Sequence, residues 1–345
     1  MATITLGSTG ITVERNGFGA LPIQRISKDD AAAMLRRGYE GGMRFFDTAR
    51  AYSDSEEKIG YAFGDMGIRD KIYIASKTHA KTPAEFWEHL ETSLRLLKTD
   101  YLDIYQFHQA TQCYKPGDGT GMYECMQEAK AQGKIRHIGL TAHLLPVAQE
   151  CITSGLYETL QFPLSYISGQ QELQLVADCK KANMGFIGMK ALAGGLITNS
   201  AAAYAFMSQF DHVVTILGVQ RPHELEEFLS YVNDPPTMTA ELEAVIEHDR
   251  QELVGEFCRG CGYCMPCPMG IEINQCARMS LMMRRAPFAG YMGEHWQKEM
   301  AKIETCLHCG KCSAKCPYQL DTPALLARNY EDYKQILAGK VSVCP

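Results

Sequence analysis

Between Thr3 and about Tyr231, short apolar β-rich runs alternate with longer segments whose apolar positions recur at helical spacing. This is the pattern of repeated βα units around a parallel sheet. The runs predict strands at Gly17–Ala20, Arg44–Phe46, Ile72–Ser76, Tyr101–His108, Ile135–Leu140, Thr159–Phe162, Gly185–Met189 and Val213–Leu217, each followed by a candidate helix. Eight units predict an α/β fold, a closed (β/α)8 TIM barrel, rather than a doubly wound open sheet, which usually has fewer strands. Ahead of them, Thr3–Leu6 and Ile11–Glu14 flank Gly7-Ser8-Thr9-Gly10 and predict a hairpin plugging the bottom of the barrel.

The rhythm stops near Asn233-Asp234-Pro235-Pro236, after which Thr239 is a plausible N-cap for a helix running to Glu252. Cys blocks at 258–267 and 306–316 alternate with helical stretches around 272–285 and 294–304, and a polar helix ends near Gly339. The expected domains are a barrel over 1–236, a linker helix over 237–254, a Cys-rich domain over 255–320, and a C-terminal helix and tail over 321–345. Met279 to Met283, with Met292 and Met300, reads as core between the two domains rather than a cofactor box. The Gly- and polar-rich stretch Thr111–Thr120 reads as an exposed, mobile loop.

With 46% hydrophobic and 21% charged residues, the chain is ordinary for a globular protein. Its net charge of −6, with basic residues at the C-terminal end interleaved with acids, argues against a nucleic-acid surface. No apolar run is long enough to span a membrane, and Met1 to Thr12 lacks the features of a secretion signal, so a cytoplasmic location is expected. Eight of the fourteen cysteines crowd into two short blocks, which suits metal binding in a reducing compartment better than disulfides.

The blocks are Cys258-x-x-Cys261-x-x-Cys264-x-x-Cys267-Pro268 and Cys306-x-x-Cys309-x-x-Cys312-x-x-x-Cys316-Pro317. The second resembles the bacterial ferredoxin run letter for letter; the first is one residue shorter. Thiolates two residues apart wrap one loop around three corners of a cluster, while the Cys before Pro reaches the other cluster. One 4Fe–4S cluster is thus assigned to Cys258, Cys261, Cys264 and Cys316, the other to Cys306, Cys309, Cys312 and Cys267. The alternative is structural zinc, usually held by two well-separated CxxC pairs. Arg259, Arg278, Lys311 and Lys315 are expected to offset the clusters' negative charge. Cys113, Cys125, Cys151, Cys179, Cys276 and Cys344 read as thiols outside the ligand sets.

Barrels of this type place their chemistry at strand C-terminal ends. There stand Asp47 and Tyr52 in Phe46-Asp47-Thr48-Ala49-x-x-Tyr52, Lys77 in Ala75-Ser76-Lys77, and His108 closing Asp103-Ile104-Tyr105-Gln106-Phe107-His108. With Thr99-Asp100-Tyr101-Leu102-Asp103, Gly133-Lys134-Ile135-Arg136-His137-Ile138-Gly139 and Leu217-Gly218-x-x-x-Pro222-x-x-Leu225-Glu226-Glu227, these make residues 1–232 resemble the aldo-keto reductase family. The extension resembles the subgroup in which this barrel is fused to a C-terminal ferredoxin-like iron–sulfur domain. The resemblance implies a catalytic tetrad of Asp47, Tyr52, Lys77 and His108. Tyr52 would donate the proton to a developing alkoxide, with its pKa lowered by Lys77, which Asp47 holds by an ion pair; His108 would orient the carbonyl. It also implies NADH or NADPH. Thr141-Ala142 stands where the family has Ser-Asn, Gln161 matches the family's Gln, and Met189, followed by Lys190, replaces an aromatic ring. In the adenosine segment that follows Gly218, Gln220, Glu224, Glu227 and Phe228 align with the family's Ser, Gln, Glu and Asn. Glu224 would repel a 2′-phosphate, and Arg221 beside it could compensate.

The expected function is reduction of a carbonyl or related polarised double bond, with the clusters relaying electrons to or from the site or a protein partner. A nicotinamide moves electrons in pairs and a cluster singly, so a flavin or a redox-active substrate would have to split the pair, and no motif indicates a flavin site. The alternatives are a nicotinamide-dependent reductase whose clusters are structural, or one in which they sense redox state. Substrate and oligomeric state are not legible.

Overall fold

The computed structural model describes residues 3–253, 257–285 and 288–343, apart from the side chains of Asn233 and Phe288. Cys344 and the expected junction at 254–256 lie outside the described residues.

The strands are β1 (Thr3–Thr5), β2 (Thr12–Glu14), β3 (Asn16–Gly19), β4 (Phe45–Asp47), β5 (Tyr73–Thr78), β6 (Leu102–Phe107), β7 (Ile135–Thr141), β8 (Thr159–Pro163), β9 (Gly185–Met189) and β10 (Val213–Gly218). β3 to β10 pair in parallel in chain order, and β10 closes on β3 through Ile216 opposite Gly17 and Leu217 opposite Phe18. The eight-stranded (β/α)8 barrel read from the hydrophobic pattern is therefore the fold, with strand ends within two residues of those expected. β1 and β2 form the expected hairpin. Ile4, Leu6, Ile11 and Val13 pack with Phe45, Ala75, Ile104 and Val214 into one buried cluster. Gly7 lets the hairpin turn dock: its φ is +50°, and a Cβ there would collide with the backbone of Met184 and Gly185.

The helix Pro83–Leu97 shows why the intervening segments fold as they do. Thr82 and Glu85 form a capping box, Pro83 opens the first turn, and Lys98 ends the helix in the left-handed region. Phe86, Leu90, Leu94 and Leu97 recur at helical spacing and are buried. The stretch Thr111–Thr120 is less free than its composition suggests. Cys113 and Tyr114 are buried, Tyr114 lies 4.5 Å from the Phe107 ring, and its carbonyl accepts the Tyr157 hydroxyl at 2.7 Å.

The described residues divide into two compact units, one running to Ala191 and resuming over Tyr204–Met238, the other comprising Leu192–Ala203 and the chain from Thr239 onward. The second unit thus takes in a segment expected to be barrel. It contains helices Ala240–Glu252, capped by Thr239, then Met279–Arg285, Glu294–Ala301 and Thr322–Leu337. Met279, Met283 and Met300 belong to this unit's own core, beside Ile271, Leu326 and Tyr333, which corrects their reading as core between domains. Cys113, Cys125, Cys151, Cys179 and Cys276 are buried. No described helix is long and apolar enough to cross a membrane.

Candidate active site

Asp47 ends β4, Lys77 sits near the end of β5, and His108 follows β6 directly, its N–H still donating to Thr78. Tyr52 lies in the turn after β4, where its N–H donates to Ala49 at 3.0 Å and its carbonyl accepts from Ser55 at 2.8 Å. The structure brings all four together. Lys77 Nζ stands 5.2 Å from the Tyr52 ring centroid, and the Tyr52 and His108 rings meet edge-on at 5.6 Å.

Lys77 and Asp47 are almost completely buried. Nζ donates to both Asp47 oxygens at 2.7 Å and to the Thr48 carbonyl at 2.6 Å. An ammonium has three hydrogens, so these bonds commit all of them. Burial pushes the ammonium down and the Asp47 carboxyl up, each opposed by the partner's charge. Burial, and after it the Asp47 charge, also pushes the Tyr52 phenol up. This corrects the expectation that Lys77 lowers the pKa of Tyr52: in this arrangement Tyr52 holds its proton as a neutral phenol.

His108 is held well below the usual imidazole range by burial, then by the charges of Lys77, His79 and His143. Its Nδ1 has no hydrogen-bond partner among the described residues. His79 stacks on it with centroids 4.2 Å apart and planes 11° from parallel. The sequence reading missed His79, whose signal was its place two residues beyond Lys77. It also missed Gln106, a polar residue inside an apolar strand. Thr141 Oγ1 donates to Gln106 Oε1 at 3.1 Å, Gln106 Nε2 donates to Gln161 Oε1 at 2.7 Å, and Gln161 Nε2 lies 3.5 Å from Asp47 and 3.9 Å from the Met189 sulfur. Thr141, Gln161 and Met189 are thereby joined to the tetrad, and Lys190 follows with a left-handed φ of +59°.

Gly218 ends β10, and Gln220 and Arg221 lead into the helix Pro222–Asn233. The Glu224 carboxylate folds back to accept the Gln220 and Arg221 N–H groups, each at 2.9 Å. Those are the donors that a helix N-terminus offers an anion. Arg221 Nη1 is 3.9 Å from the same carboxylate, and Glu227 accepts the Tyr231 hydroxyl instead.

In the other unit, Cys258, Cys261, Cys264 and Cys316 line one cavity, while Cys267, Cys306, Cys309 and Cys312 line a second, which Cys264 also borders. No described group of three or more His, Cys, Asp or Glu closes on a single-ion site. Four soft donors around a wider space suit a multinuclear iron–sulfide core better than zinc. Burial pushes the Cys264 thiol up to about 12, so ligation rather than titration would make it a thiolate. The Gly260 N–H already donates to Cys258 Sγ at 3.4 Å. Of the expected cations, Lys311 and Lys315 line the second cavity, and Arg259 lies over the Phe257 and Tyr318 rings.

Residues 4–205 match the aldo/keto reductase family, and residues 257–321 match a 4Fe-4S dicluster domain. L-galactose dehydrogenase of Arabidopsis thaliana is 28% identical over 56% of this chain and 66% of its own length. A methylglyoxal reductase of Salmonella typhimurium, DkgB, is 31% identical over 50% of this chain. The chain spans under two thirds of the length of these relatives, 66% and 64%. The barrel superposes on a Klebsiella pneumoniae aldo-keto reductase in complex with NADPH with a TM-score of 0.61 at 23% identity, covering 72% of this chain and 95% of that one.

Proposed function

As the chain belongs to the aldo/keto reductase family, we propose that it reduces a small-molecule carbonyl, or a related polarised double bond, at the mouth of the barrel. The observation that carries this reading is the buried Asp47–Lys77 pair set beside Tyr52 and His108 at consecutive strand ends. A reduced nicotinamide, when bound, supplies the hydride. Tyr52 gives its proton to the alkoxide as it forms, and the fixed positive charge of Lys77 favours the negative charge that develops there. His108, neutral at ordinary pH, donates a hydrogen bond that orients the carbonyl. Asp47 holds Lys77 in place, while Gln161 and Thr141 supply amide and hydroxyl groups for the carboxamide.

One relative is named a methylglyoxal reductase, which makes that aldehyde the first substrate to assay. The Klebsiella neighbour holds NADPH, but Glu224 here occupies the backbone donors that a 2′-phosphate would use, so NADH is the expected reductant. Glu224→Gln should then shift the NADPH-to-NADH preference by roughly tenfold, the effect of removing one charge a few ångströms from a partly exposed phosphate. Equal ratios of kcat/KM before and after the change would remove Glu224 from cofactor choice.

Cys258, Cys261, Cys264 and Cys316 would hold one 4Fe–4S cluster and Cys267, Cys306, Cys309 and Cys312 the other, exchanging single electrons with the site or with a protein partner in a reducing compartment such as the cytoplasm. Anaerobic purification should give about eight irons per chain. NADH oxidation should depend on the aldehyde, because hydride transfer to the carbonyl consumes both electrons, and the thiolate-to-iron absorption should bleach with a one-electron donor such as dithionite. Turnover with unaltered absorption would separate the clusters from hydride chemistry; no turnover with any aldehyde would defeat the carbonyl reading. Cys309→Ala should lose about four irons while circular dichroism shows the barrel folded, because its core is made by the other unit. Loss of all tertiary signal would contradict that independence.

A further inference from the structure

We propose that Arg278 sets the reduction potential of the cluster held by Cys258, Cys261, Cys264 and Cys316, and ties that cluster's loop to the chain segment that leaves the seventh barrel strand. The proposal rests on the cluster reading above. Arg278 is 6% exposed and has no carboxylate partner among the described residues. The ionisable groups that act on it are the Cys258 thiol and the Tyr291 hydroxyl, neither of them a carboxylate, and its Nε has no hydrogen-bond partner among the described residues. An uncompensated buried guanidinium is costly. Four thiolates around an iron–sulfide core carry net negative charge, which rises by one on reduction, so a cluster at Cys258 supplies the missing counter-charge.

The guanidinium is also seated by backbone on two sides. Its Nη2 donates to the Gly194 carbonyl. Gly194 has φ +67° and Gly260 φ +61°, and a Cβ would stand 3.0 Å from Nη1 at the first and 2.5 Å at the second. Gly260 lies within the Cys258-to-Cys261 loop, so one side chain is wedged between cluster loop and Gly194, and at either glycine a side chain would be strained by the left-handed backbone and would displace the guanidinium. Gly194 follows Lys190 by four residues, and Leu192–Ala203 belongs to the same compact unit as the cysteines. A change in cluster charge therefore acts on a cation bonded to that segment.

The reduced cluster is the more negative form, so a nearby cation favours it and raises the potential. The experiment uses anaerobically purified full-length wild type, Arg278→Met and Arg278→Lys, with iron and sulfide analysis, dithionite titration followed by electron paramagnetic resonance, and hydrogen exchange over residues 192–199. Each titration step adds one electron from dithionite to one cluster. Arg278→Met should lower one of two midpoints by at least tenfold in the reduction equilibrium, about 59 mV for a one-electron couple. Arg278→Lys should stay within about threefold of wild type, and exchange over 192–199 should rise in the Met variant. A Met variant with full iron and an unmoved midpoint overturns the assignment, as does a moved midpoint with unchanged exchange for the tie to Gly194. Should the Met variant lose about four irons, retention by Lys supports the charge role and loss in both overturns it. Wild type lacking iron would instead bring down the cluster reading itself.

Discussion

Replacing Tyr52 with Phe should cut aldehyde reduction by about 10²- to 10⁴-fold, the range that a positioned proton donor supplies, while nicotinamide affinity stays unchanged. The ring remains to fill its place against His108 and Lys77; only the hydroxyl goes. Because all three Lys77 hydrogens are committed to Asp47 and Thr48, the resting enzyme does not store a tyrosinate. Burial pushes the phenol up, so the form that must act as donor is the one present at neutral pH. Its pKa is raised, so donation is complete below the ordinary phenol value of about 10 and is lost only above it. Reduction by the wild type should accordingly show no loss of kcat from Tyr52 between about pH 7 and 9. Stopped-flow measurement of the hydride-transfer step checks both statements. A falling kcat across that range, in wild type but not in the Phe variant, would restore a lowered pKa; a Phe variant with wild-type turnover would remove Tyr52 from the chemistry.

The barrel was legible because its physics is periodic. Buried parallel strands read as apolar runs, and their ends, where Asp47, Lys77 and His108 stand, follow from knowing where the runs stop. The hairpin was legible from its turn glycines, and the helix Ala240–Glu252 from its Thr239 cap. What escaped was decided by contacts between distant positions. The Thr48 carbonyl that takes the third Lys77 hydrogen is a backbone group, which no residue pattern announces. His79 acquires its role only when β5 and β6 lie side by side. Nothing near Gly194 in sequence points to Arg278, 84 residues away. Glu224 was read as facing a phosphate; its actual partners, the N–H groups of Gln220 and Arg221, depend on where the helix begins.

Lys77→Met should destabilise the barrel unit by about 3–5 kcal/mol, the cost of leaving one member of a buried ion pair alone. For a domain of roughly 200 residues that is a fall in Tm on the order of 10 °C. The Asp47 carboxylate would keep only the long 3.5 Å contact to Gln161, and water does not reach a side chain 2% exposed. Its escape is protonation, toward which burial already pushes it. A carboxyl whose folded pKa is raised above the unfolded value stabilises the fold in its protonated form, and that contribution disappears as pH rises through the folded pKa. The variant should therefore be weakest relative to wild type near pH 8 and recover part of the loss near pH 5. Adding Asp47→Leu removes the orphaned charge and should return most of the stability at both pH values, since replacing a whole buried pair by apolar groups is often neutral. Denaturant unfolding of the four proteins of this cycle at the two pH values measures the coupling directly. A Lys77→Met loss that is the same at pH 5 and pH 8 and is not relieved by Asp47→Leu would mean that packing around the lysine stem, rather than charge pairing with Asp47, is what the barrel loses.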